Sequence, residues 1–504
     1  MSITQNENQY LNFEEYNVNL KKELEATKLN MAEITKKFSE LASKRIKNKP
    51  LDENLIQTND CFPYKTFEEL KNNYKVLPQR DNNETLKSLI KQHGEDGNPI
   101  FVTDLSKLLN LHLKWMDNLP TVKPCYAMKC NNDYMIVKTL KEFGCGFDCA
   151  SMEEIRQALE IGVKPKHIIF ANPIKPIAHL KYAYEKGVDH MTFDNADELV
   201  KIKAYHPNAK LVIRIRVDDS KSVCQFGAKF GVHDGMTRDL IEKVQELKMN
   251  LVGVSFHVGS GCGDPNAYYE AIKKAREIFD EAEEFNMKLN LLDIGGGFSS
   301  EEFDHHSKII RQSLAHFFSD LNVTVIAEPG RYYANPTMNL AVHVNGRREI
   351  IDKKSKDNEK ENQSEEEIDS TKKYMYYVSD GTYGTFNCIF YDHWELKNLT
   401  YLIKDKKSKS EDLILMSKEN LRFSKKFLST IWGPTCDSLD CIKKNFPMPE
   451  LQIGDWLIFE EFGAYTISAG CEFNGFPRPS IYYFDTRISK EVEKEMAEIY
   501  NYDI

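Results

Sequence analysis

Pro124-Cys125-Tyr126-Ala127-Met128-Lys129-Cys130-Asn131 is an apolar run that ends on a single lysine and then turns polar. Such a run predicts a buried strand whose last residue emerges at the strand end. A desolvated lysine in that position has a lowered amine pKa and becomes a carbonyl nucleophile. For an isolated lysine the commoner reading is a side chain snorkelling out of the strand. The residues around Lys129 decide between the two.

Outward from this strand the chain keeps one rhythm, with short apolar runs alternating with charged helical segments. The runs are Lys123–Met128, Gly146–Cys149, His167–Ala171, His190–Phe193, Leu211–Val217, Leu251–His257, Leu289–Ile294 and Thr324–Ala327. Between them lie helical segments such as Met152–Ile161, Ala196–Ala204, Thr237–Leu247, Tyr268–Phe285 and Asp304–Ser319. Strands alternating with helices imply parallel βαβ units, and eight units predict an α/β barrel of the (β/α)8, TIM-like type over residues 101–345. An open doubly wound sheet is the alternative.

Past Arg331 the rhythm changes. Ala341–Val344, Tyr374–Val378, Trp456–Phe459 and Ile481–Phe484 read as strands without long helices between them, which predicts a mostly β C-terminal domain over 346–504. Inside it, Lys353–Lys373 is almost free of apolar residues and reads as a disordered insertion, as does the shorter Lys404–Asp412. Residues 1–55 read as a polar N-terminal extension, partly disordered, in which Leu20–Arg45 has helical periodicity. Residues 56–100 read as a segment joining the β domain.

The chain has 504 residues with 41% hydrophobic and 29% charged, enough to bury a sizeable core. No apolar run approaches membrane-spanning length, and Met1–Lys28 has no signal-peptide core, so the expectation is a cytoplasmic protein without a membrane partner. The net charge of −10 argues against a nucleic-acid partner. The eleven cysteines form no paired Cys-x-x-Cys knuckles, so reduced thiols and no metal site are expected.

In a parallel barrel, functional groups collect at the carboxyl ends of the strands. Here those ends carry Lys129, Asp148, Arg214, Phe256-His257-Val258-Gly259-Ser260-Gly261, Asp293-Ile294-Gly295-Gly296-Gly297 and Ala327-Glu328-Pro329-Gly330-Arg331. Either glycine loop alone is a tight turn. Two on adjacent strands predict backbone N–H groups turned toward a phosphate, with Arg331 adding charge. A lysine beside a phosphate cradle points to an aldehyde cofactor, pyridoxal 5'-phosphate. Glu328 is placed to pair with its ring nitrogen, and His257 to pack on the ring.

Tyr126–Asn131, Gly146–Ser151, Phe256–Cys262, Leu292–Phe298, Ala327–Tyr333, Trp432-Gly433-Pro434-Thr435-Cys436-Asp437 and Phe473-Asn474-Gly475-Phe476 follow one another in an order and spacing that resemble the eukaryotic ornithine decarboxylases. These are pyridoxal-phosphate enzymes of the alanine-racemase-like fold. The resemblance implies that Lys129 holds the cofactor covalently with Asp148 near it. It places His257 on the pyridine ring, Glu328 at the ring nitrogen and Arg214 near the cofactor. Phosphate would be held by Ser260, Gly297, the Pro329-Gly330-Arg331 turn and Tyr465.

On the substrate side, Cys436 would deliver or position a proton and Asp437 would hold a distal ammonium. From the residues alone the second carboxylate is either Asp380 or Asp392. Asp380-Gly381 reads as a turn, and the resemblance favours Tyr391-Asp392 as the substrate contact. It also implies a homodimer in which these β-domain residues complete the partner's site. The activity implied is decarboxylation of L-ornithine to putrescine and carbon dioxide. Decarboxylation of lysine or arginine, and a non-catalytic homologue that binds antizyme, are the alternatives.

Overall fold

The computed structural model describes residues 74–76, 82–264, 266–351, 368–396, 399–404, 413–416, 421–422, 424–485 and 487–489. Eight parallel strands form a closed barrel: β1 (Val122–Ala127), β2 (Gly146–Cys149), β3 (Ile168–Phe170), β4 (His190–Phe193), β5 (Lys210–Arg214), β6 (Asn250–Ser255), β7 (Leu291–Asp293) and β8 (Thr324–Ala327). Each pairs with its neighbours in chain order, and β8 returns to β1 through Val325 opposite Val122 and Ala327 opposite Pro124. All eight expected strands are present, and the sheet is closed rather than open.

β5 stops at Arg214, short of the Val217 expected from its apolar run, because Arg216 N then bonds to Val232 O and the chain leaves the barrel wall. A core cluster of Cys125, Ile169, Val212, Val252, Leu291 and Ile326 draws one residue from each of six strands, as a packed barrel interior does. The outer helices have sequence-encoded starts. Ser151 accepts from Glu154 N, and the Glu154 carboxylate accepts from Ala150 N, a capping pair that opens helix Met152–Glu160 straight after β2. Asn195 accepts from Glu198 N to open helix Ala196–Tyr205.

The second domain is a nine-stranded sheet. Its central strand, Met338–Ile351, pairs with Trp456–Phe459, with Ile368–Val378 and with Ile100–Asp104. Ile100–Asp104 also pairs in parallel with Ser480–Phe484. By hydrogen bonding, 100–104 and 338–345 therefore belong to the sheet rather than to the barrel segment 101–345. Ile100–Asp104 is not among the strands expected from sequence; helix Leu105–Asn118 follows it, and its antiparallel partners lie more than two hundred residues away in sequence.

The expected insertion 353–373 is corrected at its end. Ile368–Lys373 is strand, paired with Lys426 and Phe427 on one side and with Ile350 and Ile351 on the other. Backbone bonds make that pairing, so an apolar pattern was not required. Residues 352–367 and 405–412, the extension 1–55 and its Leu20–Arg45 segment lie outside the described residues. Tyr74–Val76 pairs with Arg487–Ser489.

Candidate active site

Lys129 stands in the turn after β1. Met128 N bonds to Asp148 O at 3.1 Å, and Asp133 caps helix Tyr134–Glu142 through Met135 N and Ile136 N, so the backbone is fixed on both sides of the lysine. Its Nζ donates to Asp148 Oδ2 in an ion pair. The Asp148 side chain is 1% exposed, and its second oxygen, Oδ1, has no partner. Burial opposes the Lys129 charge, but Asp148 and Glu328 outweigh it and hold the ammonium above its ordinary range. The lowered pKa expected for a strand-end lysine is thus corrected: the charge that desolvation would remove is kept chiefly by the paired Asp148.

Glu328 follows β8, and its N–H donates to Gly295 O at 2.7 Å. Burial first, then the Asp148 and Asp293 charges, push its carboxyl well above the usual range. Asp293, at the end of β7, accepts from Gly295 N at 2.9 Å and is itself raised to about 6 by burial. Of this buried pair, Glu328 is the carboxyl that holds a proton more tightly. Asp293 stands in the strand-end stretch Asp293–Gly297, but no role was expected of it from sequence. Its register partner on β8 is Ile326, and Glu328 lies two residues further on the same side.

His257 accepts from Gly259 N at Nδ1, 2.9 Å. A backbone N–H can only donate, so Nδ1 carries the lone pair and Nε2 carries the proton. Burial, Arg214 and Lys129 push the ring well below its ordinary pKa, and it stays neutral. Phe226 meets it edge-on at 4.8 Å. A Cβ on Gly296 would lie 2.6 Å from His257 Nε2, so only glycine fits beneath that nitrogen. Arg214 stacks over Phe230 at 5.3 Å.

Arg331 follows Pro329 and Gly330, whose turn is held to β1 by Ala127 N donating to Pro329 O. The guanidinium donates to Ser260 Oγ at 3.0 Å and lies 5.2 Å over the Tyr465 ring. Gly297, at φ +102°, and Gly259, at φ +89°, turn the adjacent loops. A Cβ on Gly297 would meet Gly259 O at 2.9 Å, so the two glycine loops pack directly on each other.

The β-domain residues divide. Asp392 is buried and ion-paired with Arg331 of its own chain, with Cys224 Sγ 4.0 Å away. This corrects the expectation that it serves the partner's site: helix Cys388–Tyr391 ends against this chain's barrel mouth. Tyr391 beside it is 74% exposed. Cys436 contacts Asn474, and Asp437 accepts from the Tyr383 hydroxyl and from Leu439 N at 2.9 Å. The Tyr383 bond holds the Asp437 carboxyl below its usual range. Among the described residues no hydrogen bond links Cys436 or Asp437 to Lys129, His257 or Glu328. Asp380 is a turn residue, bonded to Gly381 N and to Thr385 N and Oγ1.

Residues 105–335 match the family model of the pyridoxal-binding domain of pyridoxal-dependent decarboxylases, and 331–463 match that of their C-terminal sheet domain. Mouse ornithine decarboxylase is 43% identical over 80% of this chain and 84% of that protein. Xenopus laevis antizyme inhibitor 2 is 45% identical over 77% of this chain and 81% of its own length. The crystal structure of the arginine decarboxylase of Paramecium bursaria Chlorella virus, bound to agmatine, superposes with a TM-score of 0.70 at 35% identity. It covers 80% of this chain and all of that one.

Proposed function

The chain belongs to the pyridoxal-dependent decarboxylases, and on that premise we propose that its site decarboxylates L-ornithine to putrescine and carbon dioxide, with pyridoxal 5'-phosphate as cofactor. The observation that carries this reading is the trio at the barrel mouth: a lysine paired with buried Asp148, a buried carboxyl of raised proton affinity at Glu328, and His257 with its Nδ1 bonded to Gly259 N. The donor set fits the cofactor. The Glu328 carboxyl, of raised proton affinity, suits a proton shared with a ring nitrogen, Arg331 and Ser260 supply donors for a phosphate, and Asp148 Oδ1 has a lone pair to spare.

When bound, the cofactor takes up the electron pair left as the bond from Cα to the carboxylate breaks. The protein supplies the rest. Lys129 would hold the cofactor at its aldehyde carbon, and Asp148, paired with the Lys129 amine, would orient it. Glu328 keeps a proton at the ring nitrogen, with Asp293 beside it raising its proton affinity. His257 packs on the ring as a neutral imidazole and adds no charge that would oppose the loss of carbon dioxide. Asp392 and Asp437 bind the distal ammonium, a desolvated cation that needs counter-charge. Cys436 delivers a proton to Cα.

Cys436 and Asp437 reach this site from a second copy of the chain, which makes a homodimer part of the proposal. The aromatic surface about them supports it: Phe473, stacked on Tyr383 at 4.3 Å, is 40% exposed, and Leu439 is 63% exposed. Apolar side chains clustered on one surface in this way suit an interface. A cytoplasmic location belongs to the same reading. The cysteines described are all free thiols, in keeping with a reducing compartment, and no described helix is long and apolar enough to cross a membrane. The likeness to antizyme inhibitor 2 adds antizyme as a proposed binding partner, tested by titrating antizyme into the protein on a native gel.

The substrate reading is tested with ornithine, lysine and arginine and carbon-dioxide release as readout. Ornithine is expected to give the highest kcat/KM, and Asp437→Asn to raise its KM. A preference for arginine, or an unchanged KM in that variant, would overturn the assignment. Lys129→Ala is expected to lose both turnover and the visible absorbance of bound cofactor. If turnover is absent in the native protein as well, the non-catalytic antizyme-binding reading takes its place.

A further inference from the structure

Arg331 and Asp392 belong to two different subsites in the reading above, one facing the cofactor phosphate and the other the distal ammonium. In the structure they hold each other. The guanidinium donates to Asp392 Oδ1 and, with the same nitrogen, to Ser260 Oγ at 3.0 Å. The Arg331 side chain is 21% exposed and that of Asp392 6%, so water screens the pair weakly. Cys224, in the short strand Ser222–Cys224 that pairs with Ser260–Cys262, and the Tyr465 ring close the space around them. A guanidinium can bridge two anions, but each anion it takes lessens the charge it offers the other.

We infer that the Arg331–Asp392 ion pair couples the two subsites: an anion on Arg331 loosens its hold on Asp392 and frees that carboxylate for a cation, and a cation on Asp392 frees Arg331 for an anion. Phosphate and a diamine therefore favour each other's binding through a pair of side chains of this chain. The cation arm rests on the substrate role proposed for Asp392. Linkage makes the coupling reciprocal, so the factor by which phosphate tightens the diamine equals the factor by which the diamine tightens phosphate.

The test uses the full-length protein stripped of cofactor, with inorganic phosphate and putrescine as probes in titration calorimetry. Saturating phosphate is expected to tighten putrescine by about fivefold or more, within the usual range of such couplings, and putrescine to tighten phosphate equally. Asp392→Asn is expected to abolish the coupling and to tighten phosphate by itself, because the competing carboxylate loses its charge. Independent or antagonistic binding of the two probes to the unsubstituted protein overturns the inference and needs no variant to fold. So does weaker phosphate binding by Asp392→Asn, which would make Asp392 only a support for Arg331. The KM for ornithine separates this outcome from failure of the substrate role. A raised KM without coupling leaves the role standing and removes the coupling, whereas an unchanged KM removes the role.

Discussion

His257 gives its Nδ1 lone pair to the Gly259 amide, and burial with the Arg214 and Lys129 charges keeps the ring unprotonated well below 6.5. The pH profile of kcat/KM should therefore show no limb near 6.5 from this residue. Stability carries the complementary sign. As pH falls through 6.5 the unfolded chain takes up a proton that the native ring refuses, so stability present above 6.5 is lost below it. His257→Gln should lose less stability than the unsubstituted protein between pH 7 and pH 5, read by urea unfolding; equal losses would contradict a depressed pKa. For Glu328→Gln the expectation is a fall in kcat of about a hundredfold or more, the usual worth of a positioned acid, with little change in KM. A variant with full kcat would remove the acid from the mechanism. Lys129, Glu328 and His257 were legible in the sequence because each sits in a short motif at the end of an apolar run. The Asp293–Glu328 contact and the Asp392–Arg331 pair were not. The first depends on strand register, which periodicity leaves open, and the second joins residues sixty-one positions apart.

The elements that aim these side chains are loops and helix starts. The triplet Gly295-Gly296-Gly297 allows β7 to turn beneath His257, and Gly296→Ala would place a methyl 2.6 Å from Nε2 and 3.1 Å from Glu328 O. The ring must shift by about an ångström, and misplacement of that size can cost about a hundredfold in turnover. Gly296→Ala should therefore lower kcat steeply while far-ultraviolet circular dichroism stays that of the unsubstituted protein; unchanged kcat would mean that the ring has room to yield. The capping pair after β2 makes a stability prediction instead. Ser151→Ala leaves Glu154 N unpaired and should cost about 1 kcal/mol, seen as a lower urea midpoint. The barrel strands were readable because each is an apolar run bounded by charged helix. Ile368–Lys373 was not readable, because an exposed strand held by backbone bonds carries no apolar pattern.

At the scale of the molecule, the sheet domain is built from both ends of the described chain. Ile100–Asp104, Met338–Ile351 and Ser480–Phe484 lie side by side, a closeness that no local pattern encodes. That sheet carries Asp392 into its own barrel mouth and leaves Cys436 and Asp437 on an aromatic surface. One chain therefore presents a barrel half-site and, elsewhere, the proposed complement to another chain's half-site. If the complement is supplied in trans, activity should fall on dilution below the dimer dissociation constant, with cofactor in excess. Lys129→Ala and Cys436→Ala should each be nearly inactive alone. Mixed in equal amounts and allowed to exchange, they form mixed dimers in about half of all pairings. Each mixed dimer has one site built from an intact barrel and an intact Cys436 loop, so the mixture should recover about a quarter of the native activity. Recovery distinguishes the two arrangements because a site completed within one chain gains nothing from a partner that lacks the other residue. A mixture that exchanges subunits, shown by the mixed species in native mass spectrometry, yet stays inactive would mean that Cys436 completes the site of its own chain and would overturn the shared-site arrangement.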